Sequence, residues 1–133
     1  MTGKVGSIGW TDLTVDDAEA IRDFYSEVVG WKADPVDMGG YNDFNMTPPA
    51  SGEAVAGVCH AKGVNTGLPT QWIMYVTVED IERSSSRCKA LGGKILDGPT
   101  GSRGKDRTCV IQDPAGAVMA LFQGGTVEPK ALP

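Results

Sequence analysis

From residue 8 the chain alternates in character. Ile8-Gly9-Trp10-Thr11-Asp12-Leu13-Thr14-Val15 reads as a strand with Leu13 and Val15 on one face and Trp10, Asp12 and Thr14 on the other. The period then changes. Asp16 stands three residues before Glu19, as in a capping box, and Ala18, Ile21, Phe24, Tyr25 and Val28 follow at helical spacing. Gly30 is placed to end this helix at about Val29. Strand-like pieces come next, Trp31 to Met38 and Tyr41 to Met46, joined at Gly39-Gly40 as a hairpin. After the breaker Thr47-Pro48-Pro49-Ala50-Ser51-Gly52, residues Ala54 to His60 predict another strand.

The second half repeats this plan. Thr14-Val15-Asp16-Asp17 matches Thr77-Val78-Glu79-Asp80 at an offset of 63, and Val29-Gly30-Trp31-Lys32 matches Leu91-Gly92-Gly93-Lys94 at 62. Ile81, Ser84, Cys88 and Leu91 form the expected inward stripe of the second helix. Strands are expected at Lys94 to Leu96, Arg107 to Gln112 and Val118 to Gln123, the last two joined by a type I turn at Asp113-Pro114-Ala115-Gly116. The reading is one α+β domain over residues 1–133. It has βαβββ modules at about 5–60 and 70–123, a connector at 61–69 and a tail at 124–133 that is loose or laid across a neighbour.

Composition narrows the function classes. With 41% hydrophobic and 22% charged residues in 133, the chain has a globular balance, and no apolar run reaches the ~18 residues of a membrane span. A net charge of -5 argues against nucleic-acid and anionic-membrane partners. Cys59, Cys88 and Cys109 are too few and too scattered for a disulfide framework or a zinc site, and no secretory signal opens the chain, so a reduced, cytoplasmic protein is expected. His60 is the single histidine, which rules out any site that draws two imidazoles from one chain.

The series Trp10-x-x-Leu13-x-Val15-x-Asp17, Phe24-Tyr25, Gly30-Trp31, Val78-x-Asp80, Leu91-Gly92-Gly93 and Asp113-Pro114-x-Gly116 resembles the vicinal oxygen chelate superfamily. That superfamily includes glyoxalase I, the bleomycin resistance proteins and the extradiol dioxygenases. The resemblance covers about residues 5–123 and implies paired βαβββ modules whose curled mixed sheets enclose a cavity. In its metal-dependent members, His, Glu or Gln ligands sit on the first and last strand of each module. Carried over residue by residue, those positions fall on Trp10, near Ala56, on Ile73 and on Ala120, none a ligand type. The expectation is therefore no metal and no cofactor.

If Trp10 faces the cavity, alternation brings Ile8, Asp12 and Thr14 with it, and Ile73 brings Gln71, Tyr75 and Thr77. Trp10, Asp12, Gln71, Ile73 and Tyr75, with Tyr41, form the expected ligand lining: aromatic surface beside a carboxylate. Equally, Trp10, Ile73 and Tyr75 fill the cavity as core. His60, taken to share a face with Ala56 and Val58, is a general-base candidate near Asp12, or a structural histidine. Arg103, Lys105 and Arg107 lie in a glycine-rich loop that the resemblance puts at the cavity mouth, where Arg103 and Arg107 suit an anionic ligand; a solvated loop is the alternative.

Three functions stay open. The first is metal-independent binding of a small organic molecule, in one chain or a homodimer. The second is a divergent glyoxalase-type lyase or isomerase with unusual ligands, or one using Asp12 and His60. The third is an interaction protein with a filled cavity.

Overall fold

The computed structural model describes residues 3–102 and 104–125. Its elements are β1 (Ile8–Val15), α1 (Ala18–Val29), β2 (Lys32–Asp37), β3 (Asn42–Thr47), β4 (Ala56–His60), β5 (Trp72–Thr77), α2 (Ile81–Ala90), β6 (Lys94–Asp97), β7 (Arg107–Gln112) and β8 (Val118–Gln123), with one 3-10 turn at Gly63–Asn65. The expected βαβββ order thus occurs twice, as an α+β arrangement. Contacts divide the chain into two compact units, Trp10–Ile73 and the described residues of 1–9 and 74–133.

In the first unit the strands run in the order β2-β3-β4-β1. β2, β3 and β4 are antiparallel neighbours, and β1 lies parallel to β4 with Asp12 opposite Gly57 and Thr14 opposite Cys59. A parallel partner needs a crossover, and α1 begins that connection. The core is on the α1 side, where Ala18, Phe44, Met46, Ala56 and Val58 are buried and Val15, Ile21, Tyr25, Trp31, Ala33 and Trp72 pack on them. Trp72 donates its indole N–H to the Tyr25 hydroxyl at 3.1 Å, and the rings of Trp31 and Trp72 meet edge to face.

The second unit repeats this order as β5-β8-β7-β6, with β5 parallel to β8. Its helix-side core is Ile81, Cys109 and Leu121, supported by Val78, Ile95 and Ile111. The hairpin between β7 and β8 turns at the expected residues: the Gly116 N–H reaches the Asp113 carbonyl at 2.9 Å, and Asp113 Oδ1 accepts from the Ala115 and Ala117 amides.

The helix ends correct two expectations. The N-cap is Asp17, not Asp16, and its side chain accepts from the Ala20 amide; Asp80 does the same for Arg83 in α2. The two caps stand 63 apart, so the repeat extends to the hydrogen bond that starts each helix. Gly30 ends α1 with φ 88, the left-handed conformation that favours glycine. On α2 Ile81 and Ser85 are buried and Ser84 and Cys88 half-buried, while Leu91 is 66% exposed. The helix stops at Ala90, which frees Leu91 from the 3.6-residue period.

Candidate functional site

Two faces of the first unit differ in chemistry. Facing α1 are Phe44, Met46, Ala56 and Val58, an apolar set. The face turned away from α1 carries Trp10, Asp12 and Thr14 of β1, Gly57 and Cys59 of β4, and Asp43 and Asn45 of β3, as the register and the two-residue alternation dictate. Its centre is Trp10, whose indole N–H donates to Asp12 Oδ1 at 2.5 Å. Both side chains lie over Gly57. A Cβ added there would stand 2.3 Å from Asp12 Oδ1 and 3.6 Å from the Trp10 ring. Glycine at residue 57 is thus what lets the pair settle onto the sheet.

Cys59 lies beside this pair. Burial pushes its thiol well above the usual range, and the charges of Asp12 and Asp43 push it further, with a hydrogen bond to Asp43 adding to the effect. A thiol so placed stays protonated and is a poor nucleophile. Asp43 is 6% exposed and accepts the His60 amide N–H at 2.8 Å. Thr47 donates to Asp34 at 3.1 Å at the far edge. The face therefore offers one aromatic plate and several carboxylates, an arrangement suited to a flat molecule bearing hydroxyl or amine donors.

His60 does share a face with Ala56 and Val58, as expected, but that face is the one against α1. Its Nδ1 donates to the Asn42 carbonyl at 2.9 Å, and its Nε2 lies 3.0 Å from Glu19 Oε1 on α1. With its side chain 5% exposed, it ties β4 to the first turn of the helix. The pairing of Asp12 with His60 is not formed, because the sheet separates them. The same register moves the last-strand position of the first module from Ala56, buried against α1, to Gly57.

Tyr41 also leaves the expected lining. Its ring meets His60 edge to face at 5.4 Å and carries the Lys62 ammonium 4.8 Å from its centre, so it packs around the histidine. Gln71 precedes β5, in a turn where its amide bonds the Pro69 carbonyl at 3.0 Å. Alternation does not reach it, and it borders a hollow on the α1 side with Leu13, Val15 and Trp72. Ile73 is 2% exposed and is core, whereas Tyr75 is half-buried. On β8, Ala120 pairs with Tyr75 and is fully buried.

Arg103 lies outside the described residues. Arg107 is on the helix side of β7. It bonds the Thr100 carbonyl through Nε at 3.1 Å and Glu82 of α2 at 2.6 Å, with its side chain 13% exposed. It is thereby committed within the protein. Lys105 is exposed. The loop between β6 and β7 is itself hydrogen-bonded, from the Thr100 amide to the Thr108 carbonyl and from the Gly125 amide to Asp106.

Gly57, Cys59, Asp43 and Asn45 belong to this face without being among the site residues expected from the sequence. Their signal was present in Asp43-Phe44-Asn45-Met46-Thr47, where polar and apolar residues alternate, and it fixes the face once β3 is paired with β4. Among the described residues no group of three His, Cys, Asp or Glu side chains is placed to hold a metal ion.

A duplicated βαβββ unit with strand order 2-3-4-1 and its polar face away from the helix defines a known class of fold. The profile of the Glyoxalase/Bleomycin resistance protein/Dioxygenase superfamily matches residues 7–121, and the chain belongs to that superfamily. It is 30% identical over 139 residues to the anthracycline biosynthesis protein DnrV of Streptomyces peucetius, a match that covers 92% of this chain and 49% of the relative. The chain thus spans about half the length of that curated relative. Among solved structures, a methylmalonyl-CoA epimerase has the same fold at TM-score 0.57 and 19% identity, over 94% of this chain and all of that one. A hypothetical protein from Bacillus halodurans C-125 superposes at TM-score 0.61 with 14% identity, over 93% and 98%.

Proposed function

We propose that the chain binds a small planar organic molecule on the face of the first module that carries Trp10 and Asp12, without a metal ion. The observation that carries this reading is the Trp10–Asp12 pair seated over Gly57. In the metal-dependent relatives, protein ligands occupy the corresponding places on the first and last strands. Here those places hold Trp10 and Gly57 in the first module, and Ile73 and Ala120 in the second. An indole N–H only donates, and glycine, isoleucine and alanine have no ligating side-chain atom, so these side chains do not fit a metal.

What they fit is stacking and hydrogen bonding. Trp10 supplies the plate, and Asp12 accepts from a hydroxyl or amine at its edge. The relative DnrV is an anthracycline biosynthesis protein, and anthracyclines are flat, hydroxylated polycycles of the kind this face suits, which supports the reading. The acid–base alternative that relies on His60 loses support from its place against α1. Filling by core side chains accounts for Ile73, 2% exposed, better than for the half-buried Trp10.

The test is a thermal-shift screen of EDTA-dialysed protein against hydroxylated anthraquinones, simple phenols and acyl-CoA thioesters, with metal content measured in parallel. A rise in Tm with the anthraquinones at sub-stoichiometric metal supports the reading. A rise that appears only after Ni, Zn, Fe or Mn is restored contradicts it. Cytoplasmic location and a homodimer remain part of the proposal; among the described residues no helix is long and apolar enough to cross a membrane.

A further inference from the structure

The duplication has left a hollow beside each helix, and the two have diverged. In the first unit Val15, Ile21, Phe24 and Tyr25 line a hollow of about 350 Å³. Sixty-three residues later, Val78, Ser84, Arg87 and Cys88 line one of about 420 Å³. Bulk has been lost where Ile21 and Tyr25 become Ser84 and Cys88, and a cation stands where Phe24 was. Arg83, one turn before Arg87, adds a second guanidinium to the same rim. The floor stays apolar, with Ile111 and Leu121 beneath and Leu91 at the mouth.

Among the described residues the two arginines have no ion-pair partner. Arg22 and Arg107 each hold a carboxylate, at 2.9 and 2.6 Å, but among the described residues no carboxylate engages the side chain of Arg83 or Arg87. Asp80 is occupied as the N-cap of α2, bonded to the Arg83 amide. Glu79 and Asp80 also line the hollow, at the start of α2 and N-terminal to Arg83 and Arg87. We infer that this hollow beside α2 is a second binding site, for an amphipathic anion with an apolar body and one carboxylate or sulfonate head. The volume falls in the range of small-ligand pockets, ~300–1,000 Å³. The body covers Ile111 and Leu121, and the guanidinium forks take the head group.

The probes are 8-anilinonaphthalene-1-sulfonate, which has both parts, and N-phenyl-1-naphthylamine, which lacks the head. Each is titrated by fluorescence into the whole chain and into the Arg83→Gln/Arg87→Gln variant, with Tm confirming the fold. The expected result is at least a tenfold weaker Kd for the sulfonate and an unchanged Kd for the amine. Ser84→Phe, which fills the hollow, is expected to abolish sulfonate binding, and Trp10→Ala, on the carboxylate-bearing face, to leave it unchanged. Equal loss of both probes in the arginine variant, unchanged sulfonate binding in it, or full sulfonate binding by Ser84→Phe would overturn the assignment. The Trp10→Ala arm keeps this result separate from the face proposed above.

Discussion

The Trp10 indole N–H points at Asp12 Oδ1, two residues along the same strand face, and the pair rests over Gly57 of the neighbouring strand. Gly57→Ala places a methyl where the Asp12 carboxylate sits, so Asp12 must swing out and the bond to Trp10 is lost. The expected cost is about 1–3 kcal/mol. Chemical denaturation followed through tryptophan emission checks this, since a wild-type midpoint would mean the close approach is not there.

His60 acts as a structural bridge between β4 and α1. His60→Ala orphans the Asn42 carbonyl and leaves a gap beside Tyr41, with an expected loss of about 1–3 kcal/mol. The variant should bind any ligand of the opposite face with unchanged affinity at temperatures where it is folded. Loss of turnover or binding without loss of stability would restore it as a functional residue.

Arg107 is expected to matter little to binding. Its partner Glu82 is well exposed, so Arg107→Gln should cost below about 1 kcal/mol and leave anthraquinone affinity unchanged. A large affinity loss in isothermal titration calorimetry would return this residue to the ligand site.

The thiols set the alkaline limit. Burial raises Cys109 to about 11, and burial, aided by the charges of Asp12 and Asp43, raises Cys59 still further. In both cases the folded value lies above the unfolded value near 9, so the folded state keeps protons that the unfolded chain releases. Their contribution is complete below pH 9 and is lost as pH rises beyond it. Urea midpoints at pH 8, 9 and 10 should fall above pH 9, and Cys59→Ser/Cys109→Ser should reduce that fall. At pH 8 both thiols should resist Ellman's reagent in the native protein.

The fold was largely legible because its signals are local. Helical spacing from Ala18, the left-handed stop at Gly30, the Asp113–Gly116 turn and the 63-residue offset each sit within a few residues, and the strands β1, β7 and β8 begin and end where alternation places them. The site was legible only in part. Alternation put Trp10 with Asp12, but which face of β4 joins them depends on register against β1 and β3, which Ala54 to His60 alone does not specify. A one-residue shift exchanges Ala56, Val58 and His60 for Gly57 and Cys59. Glu19 meets His60 across 41 residues of sequence, and Arg107 meets Glu82 across 25; both are consequences of tertiary packing.

The most direct measurement is a 1H–15N NMR titration of EDTA-dialysed protein with 1,8-dihydroxyanthraquinone. Binding on the Trp10 face predicts that the Trp10 indole N–H and the backbone amides of Asp12, Asn45, Gly57 and Cys59 shift most, while the Trp31 and Trp72 indoles hold still. Shifts confined to the helix faces, or none until a divalent metal is added, would contradict it.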